Sequence, residues 1–210
     1  MADAVTTAWT PRGSWAGILA SGAFGAAGQP GITIEARDGL GIASLIVGEG
    51  RVEALAQALQ GRTGLGLPVT PRIVSSTSHS LVWAGPDQWH LIATDRNGFD
   101  ELLRDLAPLA AISDQSDGRA TLRLSGPRLH DALAKGCMLD LHPSAFPVGA
   151  TALTSIAYMG VHLWRIADDP DTGDAVFEIM VARSMAGSFW SWLSASAAEF
   201  GCKVTATGRG

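Results

Sequence analysis

Residues 111–149 read AISDQSDGRATLRLSGPRLHDALAKGCMLDLHPSAFPVG, and the order of features in this stretch sets the expected fold. Ala111 to Asp114 is a short apolar strand that ends at an acid. Arg119 to Leu124 alternates polar and apolar residues, as a strand with one buried face does. Ser125-Gly126-Pro127 supplies a turn, with Ser125 or Gly126 as helix cap and Pro127 at the first helical position, where a missing N–H is harmless. Leu129, Ala132 and Leu133 line one face of a helix that stops at Gly136. An irregular loop follows, with Pro143 and Pro147 and with Asp140 set between two leucines. Strand, strand, helix and acid-bearing loop predict one α+β unit.

Upstream, Ile32–Arg37 alternates at period two, Asp38-Gly39 is a turn signal, and Leu40–Val47 reads as a second strand. Val52, Leu55, Ala56 and Leu59 mark the inner face of a helix ended by Gly61, and a Gly/Pro-rich loop runs from Arg62 to Pro71. Strands are predicted at Arg72–Ser75, Ser80–Ala84 and Gln88–Ala93, the last two joined by Gly85-Pro86-Asp87. Phe99, Leu102, Leu103 and Leu106 form a second helix, capped by Asn97 and closed at Pro108. The order β-β-α-β-β-β-α predicts an antiparallel sheet with helices on one face, a plait-like unit. Downstream of the opening stretch lie strands at Ala150–Ala157, Val161–Ile166 and Ala175–Val181, with an acidic turn from Asp168 to Asp174. A long helix with Phe189, Trp192 and Leu193 facing inward begins at Arg183-Ser184 and ends at Gly201. The expected layout is a Gly/Ala-rich arm over 1–30, a plait-like subdomain over 31–109, a second α+β subdomain over 110–205 and a flexible tail over 206–210. In the arm, Trp9, Trp15 and Phe24 need a surface to pin them, either on the same domain or on a partner. The segment after Lys203 is too small and polar to demand order.

The 210 residues are 47% apolar with seven Trp, and a chain this long buries about 70% of its unfolded surface. A net charge of −5 without a basic cluster argues against nucleic acid as a partner. Gly13–Ile34 is uncharged, yet its Ala, Gly, Ser21, Gln29 and Pro30 are too weakly apolar for a spanning helix, and no charged n-region precedes it. No membrane association is expected. Cys137 and Cys202 lack metal-ligand spacing and read as reduced thiols, which places the chain in the cytoplasm.

The chemistry-bearing residues form no catalytic constellation. Gly48-x-Gly50 lacks the third glycine and the downstream acid of a dinucleotide loop, so it reads as an ordinary strand–helix turn. No two of the five histidines share metal-ligand spacing on one element, and His90, between Trp89 and Leu91, reads as a strand residue. Ser125 lacks the first glycine of a nucleophile elbow. Asp114, Ser116, Asp117 and Arg119 read as local turn chemistry, and Arg183-Ser184 as a helix cap that would also suit an anion. His142 lies two residues from Asp140, whose simplest role is to accept backbone N–H bonds in a turn.

The run from Asp114 to Gly149, with GPDQW at Gly85–Trp89, VARSMA at Val181–Ala186, Phe189-Trp190-x-Trp192-Leu193 and Glu199-Phe200-Gly201, resembles the gamma subunit of heterotetrameric sarcosine oxidase. That subunit is in turn similar to the longer glycine-cleavage T-protein, a folate-binding aminomethyltransferase. The resemblance implies an α+β fold of plait-like units with mainly antiparallel sheets. It implies alpha, beta and delta partner chains, with alpha in direct contact, in a complex that oxidises sarcosine to glycine and passes the one-carbon unit to tetrahydrofolate. FAD, FMN, NAD and tetrahydrofolate are then expected in the partner chains and none in this one, which is expected to be non-catalytic. The alternative is a freestanding folate-binding protein of the T-protein type. Asp140 falls at the pterin-contact position of the folate-binding relatives, and is expected to survive here as a residue that orders its loop. An apolar docking surface lined by some of the tryptophans is the expected interface.

Overall fold

In the computed structural model, which describes residues 12–206, twelve strands form two sheets. In chain order the elements are β1 (Gly22–Phe24), β2 (Ile32–Ala36), β3 (Gly41–Ile46), α1 (Val52–Thr63), β4 (Ile73–Ser75), β5 (His79–Gly85) and β6 (Gln88–Ala93). They continue with α2 (Phe99–Leu106), β7 (Ala111–Asp114), β8 (Arg119–Ser125), α3 (Leu129–Ala134), β9 (Thr151–Ile156), β10 (Met159–Ile166), β11 (Val176–Ala182), α4 (Ala186–Ala197) and β12 (Cys202–Thr205). One sheet has the order β1-β12-β2-β8-β11-β10-β9 and the other β4-β5-β6-β3-β7. Every pairing is antiparallel except β12 with β2.

Period-two alternation decides the layers. Ala120, Leu122 and Leu124 of β8, with Phe177, Ile179 and Val181 of β11, turn one face of the larger sheet to Leu129 and Leu133 of α3 and Phe189 and Leu193 of α4. Ala43 and Leu45 of β3 and Trp89 and Leu91 of β6 turn one face of the smaller sheet to Leu55 and Leu59 of α1 and Leu102 and Leu106 of α2. The opposite faces meet through Ile42, Val82, Ile92, Trp164 and Met180. The order is helices, sheet, sheet, helices, so each sheet carries its helices on one face, as an α+β plait-like unit should.

The sheets do not divide where the sequence was divided, at 109/110. β2 pairs with β8 and joins the larger sheet, whereas β7 pairs with β3 and joins the smaller one. The two predicted neighbours in 111–149, β7 and β8, therefore belong to different sheets. The crossing is stitched by Ser116, whose Oγ accepts the Ile42 N–H at 2.9 Å, and by the Gln115 N–H to the Ile42 carbonyl at 2.7 Å. Alternation tells that a strand has a buried face; it does not tell which neighbour completes its ladder.

The arm is pinned to its own domain. Trp15 is 1% exposed, and its indole N–H donates to the Thr121 carbonyl at 2.9 Å. Leu19 is buried beside it, and β1 adds to β12. Trp9 lies outside the described residues, as do 207–210. The segment after Gly201 forms β12, with Cys202 and Val204 buried, so Val204 and Thr205, which the composition after Lys203 did not require to be ordered, are part of a strand. Two buried positions in four residues are too short a pattern to read as a strand. Ser21 Oγ accepts the Ala206 N–H at 2.9 Å and fastens this end to the arm.

Three helix ends differ from expectation; at α3 the cap is Arg128 and the first helical residue Leu129, since Gly126-Pro127-Arg128 form a turn before the helix. The first helix continues past Gly61 to Thr63, whose hydroxyl donates to the Leu59 carbonyl, and it stops at Gly64 with φ 74°. Gly61 has helical company on both sides, whereas Gly64 takes the left-handed C-terminal position that glycine tolerates best. At the second helix the cap is Gly98 at φ 70°, because Asp95 Oδ1 instead accepts the Asn97 N–H and turns the chain one residue earlier. Among the described residues no helix is long and apolar enough to cross a membrane.

Candidate functional site

Two places gather polar side chains around open volume. The first is the loop between α3 and β9. Asp140 is exposed there, and its Oδ1 accepts the His142 N–H at 2.9 Å. His142 Nδ1 receives the Ser144 N–H at 3.3 Å, so it carries a lone pair and the Ser144 hydroxyl, at 2.7 Å, also donates to it. The His142 carbonyl then accepts from Ala145 and Phe146, and Phe146 anchors the loop in the core. A cavity of about 510 Å³ opens beside it, lined by Ala134, Leu139, Leu141 and Pro143, with His130, Asp140 and His142 as its polar groups. His130 Nε2 donates to the Leu141 carbonyl at 3.2 Å, and Asp140 is the carboxylate at the opening, beside His142.

The second place lies between the sheets and unites His90, Arg119 and His162, of which the nearest two in sequence, His90 and Arg119, are 29 positions apart. Arg119 begins β8, His90 is central in β6 and His162 is in β10. The strand register puts Thr121, Met180 and His162 in one row across the larger sheet, and Ser44, His90 and Val82 in one row across the smaller sheet. The two imidazoles meet with centroids 5.2 Å apart. A cavity of about 500 Å³ is lined by both of them, by Arg119 and by Leu153, Gly160 and Met180.

Burial controls the charge of this pair. His162 is 3% exposed; desolvation and then the nearby His90 hold its pKa down to about 3, the Trp83 carbonyl pulls the other way, and Arg119 adds the smallest, lowering, effect. His90 is 7% exposed and is held down to about 4 by desolvation and then by Arg119. Both are neutral near pH 7. The Thr151 hydroxyl donates to the Leu163 carbonyl at 3.1 Å, so its 2.9 Å contact with His162 is donated by Nε2–H. His162 Nδ1 therefore bears the lone pair.

The other candidate residues are structural. Gly48-Glu49-Gly50 is a turn closed by the Arg51 N–H on the Gly48 carbonyl. Ser125 ends β8 opposite Thr33. Asp114 Oδ1 accepts the Ser116 N–H, and Asp117 pairs with Arg96 at 2.9 Å. Arg119, grouped with them by sequence, instead turns into the cavity between the sheets. Arg183-Ser184 lies in a 3₁₀ turn without a side-chain cap bond. Cys137 and Cys202 are buried free thiols, and burial pushes the Cys202 thiol up to about 11, away from nucleophilic use. Among the described residues no three His, Cys, Asp or Glu side chains converge on a possible metal position. The His90–Arg119–His162 group was not legible in the sequence, because its members sit on three strands and meet only once the two sheets face one another.

Two outward-helix sheets of this topology define a fold of the aminomethyltransferase type. The glycine cleavage system aminomethyltransferase T from Bartonella henselae superposes with a TM-score of 0.58 over 86% of this chain and 48% of that one, at 13% identity. The chain belongs to the sarcosine oxidase, gamma subunit family, whose family model matches residues 47–199. The gamma subunit of sarcosine oxidase from Corynebacterium sp. strain P-1 is 32% identical over 170 residues, 77% of this chain and 76% of that protein. The gamma subunit from strain U-96 is 31% identical over 147 residues, 68% of this chain and 69% of that protein. A chain of the heterotetrameric sarcosine oxidase structure from Corynebacterium sp. U-96 superposes with a TM-score of 0.70 at 29% identity, over 83% of this chain and 87% of that one.

Proposed function

We propose that this chain serves as the gamma subunit of a heterotetrameric sarcosine oxidase, with a role in assembly and none in the chemistry. The observation that carries the reading is the superposition on the heterotetrameric enzyme over most of both chains, joined to family membership. In this reading the alpha, beta and delta chains hold FAD, FMN, NAD and tetrahydrofolate, alpha is the direct neighbour, and the complex works in the cytoplasm. Asp140 orders its loop through His142 and binds no pterin.

Among the described residues the tryptophans form no fully exposed patch. Trp15, Trp89 and Trp164 are buried, and Trp83, Trp190 and Trp192 are half-buried against the two cores. The large apolar side chains that reach solvent include Met138, Leu153 and Tyr158, and β9 is an edge strand of the larger sheet. A tagged chain at native expression should co-purify with three other chains, flavin absorbance and sarcosine-dependent oxygen uptake. A colourless chain recovered alone would overturn the assembly reading, and folate binding by that lone chain would replace it with the freestanding alternative.

A further inference from the structure

The cleft between the sheets contains a cation without a counter-ion. Among the described residues no carboxylate pairs with Arg119, and its Nε is buried without a hydrogen-bond partner. His162 Nδ1 is likewise buried and unbonded. The acids that approach this layer are engaged elsewhere: Glu178 accepts from Arg123 and Trp164, Asp117 from Arg96, and Asp114 from the Ser116 backbone. The groups that face the opening are Arg119 from β8, His90 from β6 and His162 from β10, with Leu153 and Met180 as apolar walls. Gly160 stands at this wall with open space where a Cβ would project. Arg119 is half-buried with its Nε enclosed and unbonded, and a guanidinium fork fits two oxygens at once.

We propose that this cleft binds a small oxyanion, a carboxylate or phosphate group, through Arg119 with His90 and His162 at its sides. The anion supplies the missing counter-charge, and it favours a proton on His162 Nδ1, which turns that atom from a lone pair into a donor. Binding therefore takes up protons and tightens as pH falls. The same carboxylate chemistry has two sources, a free small anion or an acidic side chain presented by another subunit. The first source is independent of the assembly reading; the second rests on it.

The test follows the imidazole NMR signals of His90 and His162 in the full-length chain during titration with sodium acetate and with inorganic phosphate. Both signals should move saturably, with acetate affinity rising as the pH is lowered from about pH 7.5 to about pH 5.5. Arg119→Gln should abolish the response and Arg119→Lys restore part of it. Gly160→Leu should fill the opening and block the response while the circular dichroism spectrum stays that of the wild type. The co-purified complex separates the sources. If the complex responds as the chain does, the ligand is a free anion. If only the chain responds, and Arg119→Gln weakens co-purification, the ligand is a subunit's carboxylate. Absence of a saturable shift in the wild-type chain with both probes, or an undiminished shift in Arg119→Gln, overturns the proposal.

Discussion

Glu178 gathers the polar half of the layer between the sheets. Its Oε1 accepts from Arg123 Nε at 3.0 Å and Nη2 at 2.7 Å, its Oε2 accepts from the Trp164 indole at 3.0 Å, and Arg37 Nε lies 3.6 Å away. The register sets this group, because Glu178 faces Trp164 on one neighbouring strand and Arg123 on the other. Glu178→Ala leaves the Arg123 guanidinium and the Trp164 indole N–H without their partner at a site 13% exposed, while Arg37 keeps its pair with Glu35. The expected loss is about 3–5 kcal/mol in urea unfolding, against about 1–3 kcal/mol for Glu178→Gln, which keeps an acceptor for Trp164. Equal losses for the two variants would show that packing, and not charge, is what Glu178 supplies. Asp140 makes the contrasting prediction. Its one internal bond, to the His142 N–H, survives in Asp140→Asn through the amide oxygen. Stability should change by less than about 1 kcal/mol, and the isolated chain should show no folate binding in either form. Folate binding that the substitution removes would make Asp140 a ligand contact.

At the scale of elements, the turn between β9 and β10 is built from the wrong residues for its shape. Ala157 has φ 48° and Tyr158 φ 65°, and both carry a Cβ in the left-handed region. A two-residue hairpin turn of this type prefers Asn-Gly. The Ala157 N–H bond to the Gly136 carbonyl, at 3.0 Å, helps to hold it, while the Tyr158 side chain is fully exposed. Joint replacement by Ala157→Asn and Tyr158→Gly should raise stability by about 1–2 kcal/mol in denaturant unfolding, and a loss would mean that the Gly136 tether fixes a geometry Asn-Gly does not share. The same turn explains why β10, expected from Val161, starts at Met159: without Asn, Asp or Gly between the strands, the hairpin left no mark in the sequence. Elements with strong local patterns were legible, among them β6, α2 and the β8–α3 corner. There the helix is capped by Arg128 and not by Ser125 or Gly126, while Gly126, at φ 119°, sits where a Cβ would fall 2.4 Å from the Gly31 carbonyl oxygen. What stayed hidden depends on distant partners: the transfer of β2 and β7 between sheets, β12 completing a ladder with the arm, and Arg119 turning away from the acids beside it in sequence.

For the whole molecule, the double layer of sheets makes stability depend on keeping two imidazoles neutral. His90 and His162 have folded pKa values of about 4 and about 3, both below the ordinary 6.5. Arg119 is the charged group facing both, and it acts in the same direction as burial. Between the ordinary value and these lowered ones the unfolded chain binds more protons than the folded chain, so stability rises with pH across that window and levels off above about pH 7. Acidification to about pH 4.5 should remove roughly 2–3 kcal/mol for each histidine, because the unfolded imidazoles charge while the folded ones resist. Urea unfolding of the full chain from about pH 4.5 to pH 8 reads this slope directly. Paired His90→Gln and His162→Gln substitutions should flatten it even where they lower stability at neutral pH, since the slope counts protons and not contacts. Acetate or phosphate bound at Arg119 should flatten it as well by raising the folded pKa values, although burial, and not Arg119, is the larger cause of the acid sensitivity. An unchanged slope in the double variant would transfer the acid sensitivity to the carboxylates, and the layer between the sheets would then be as stable with its imidazoles charged as without.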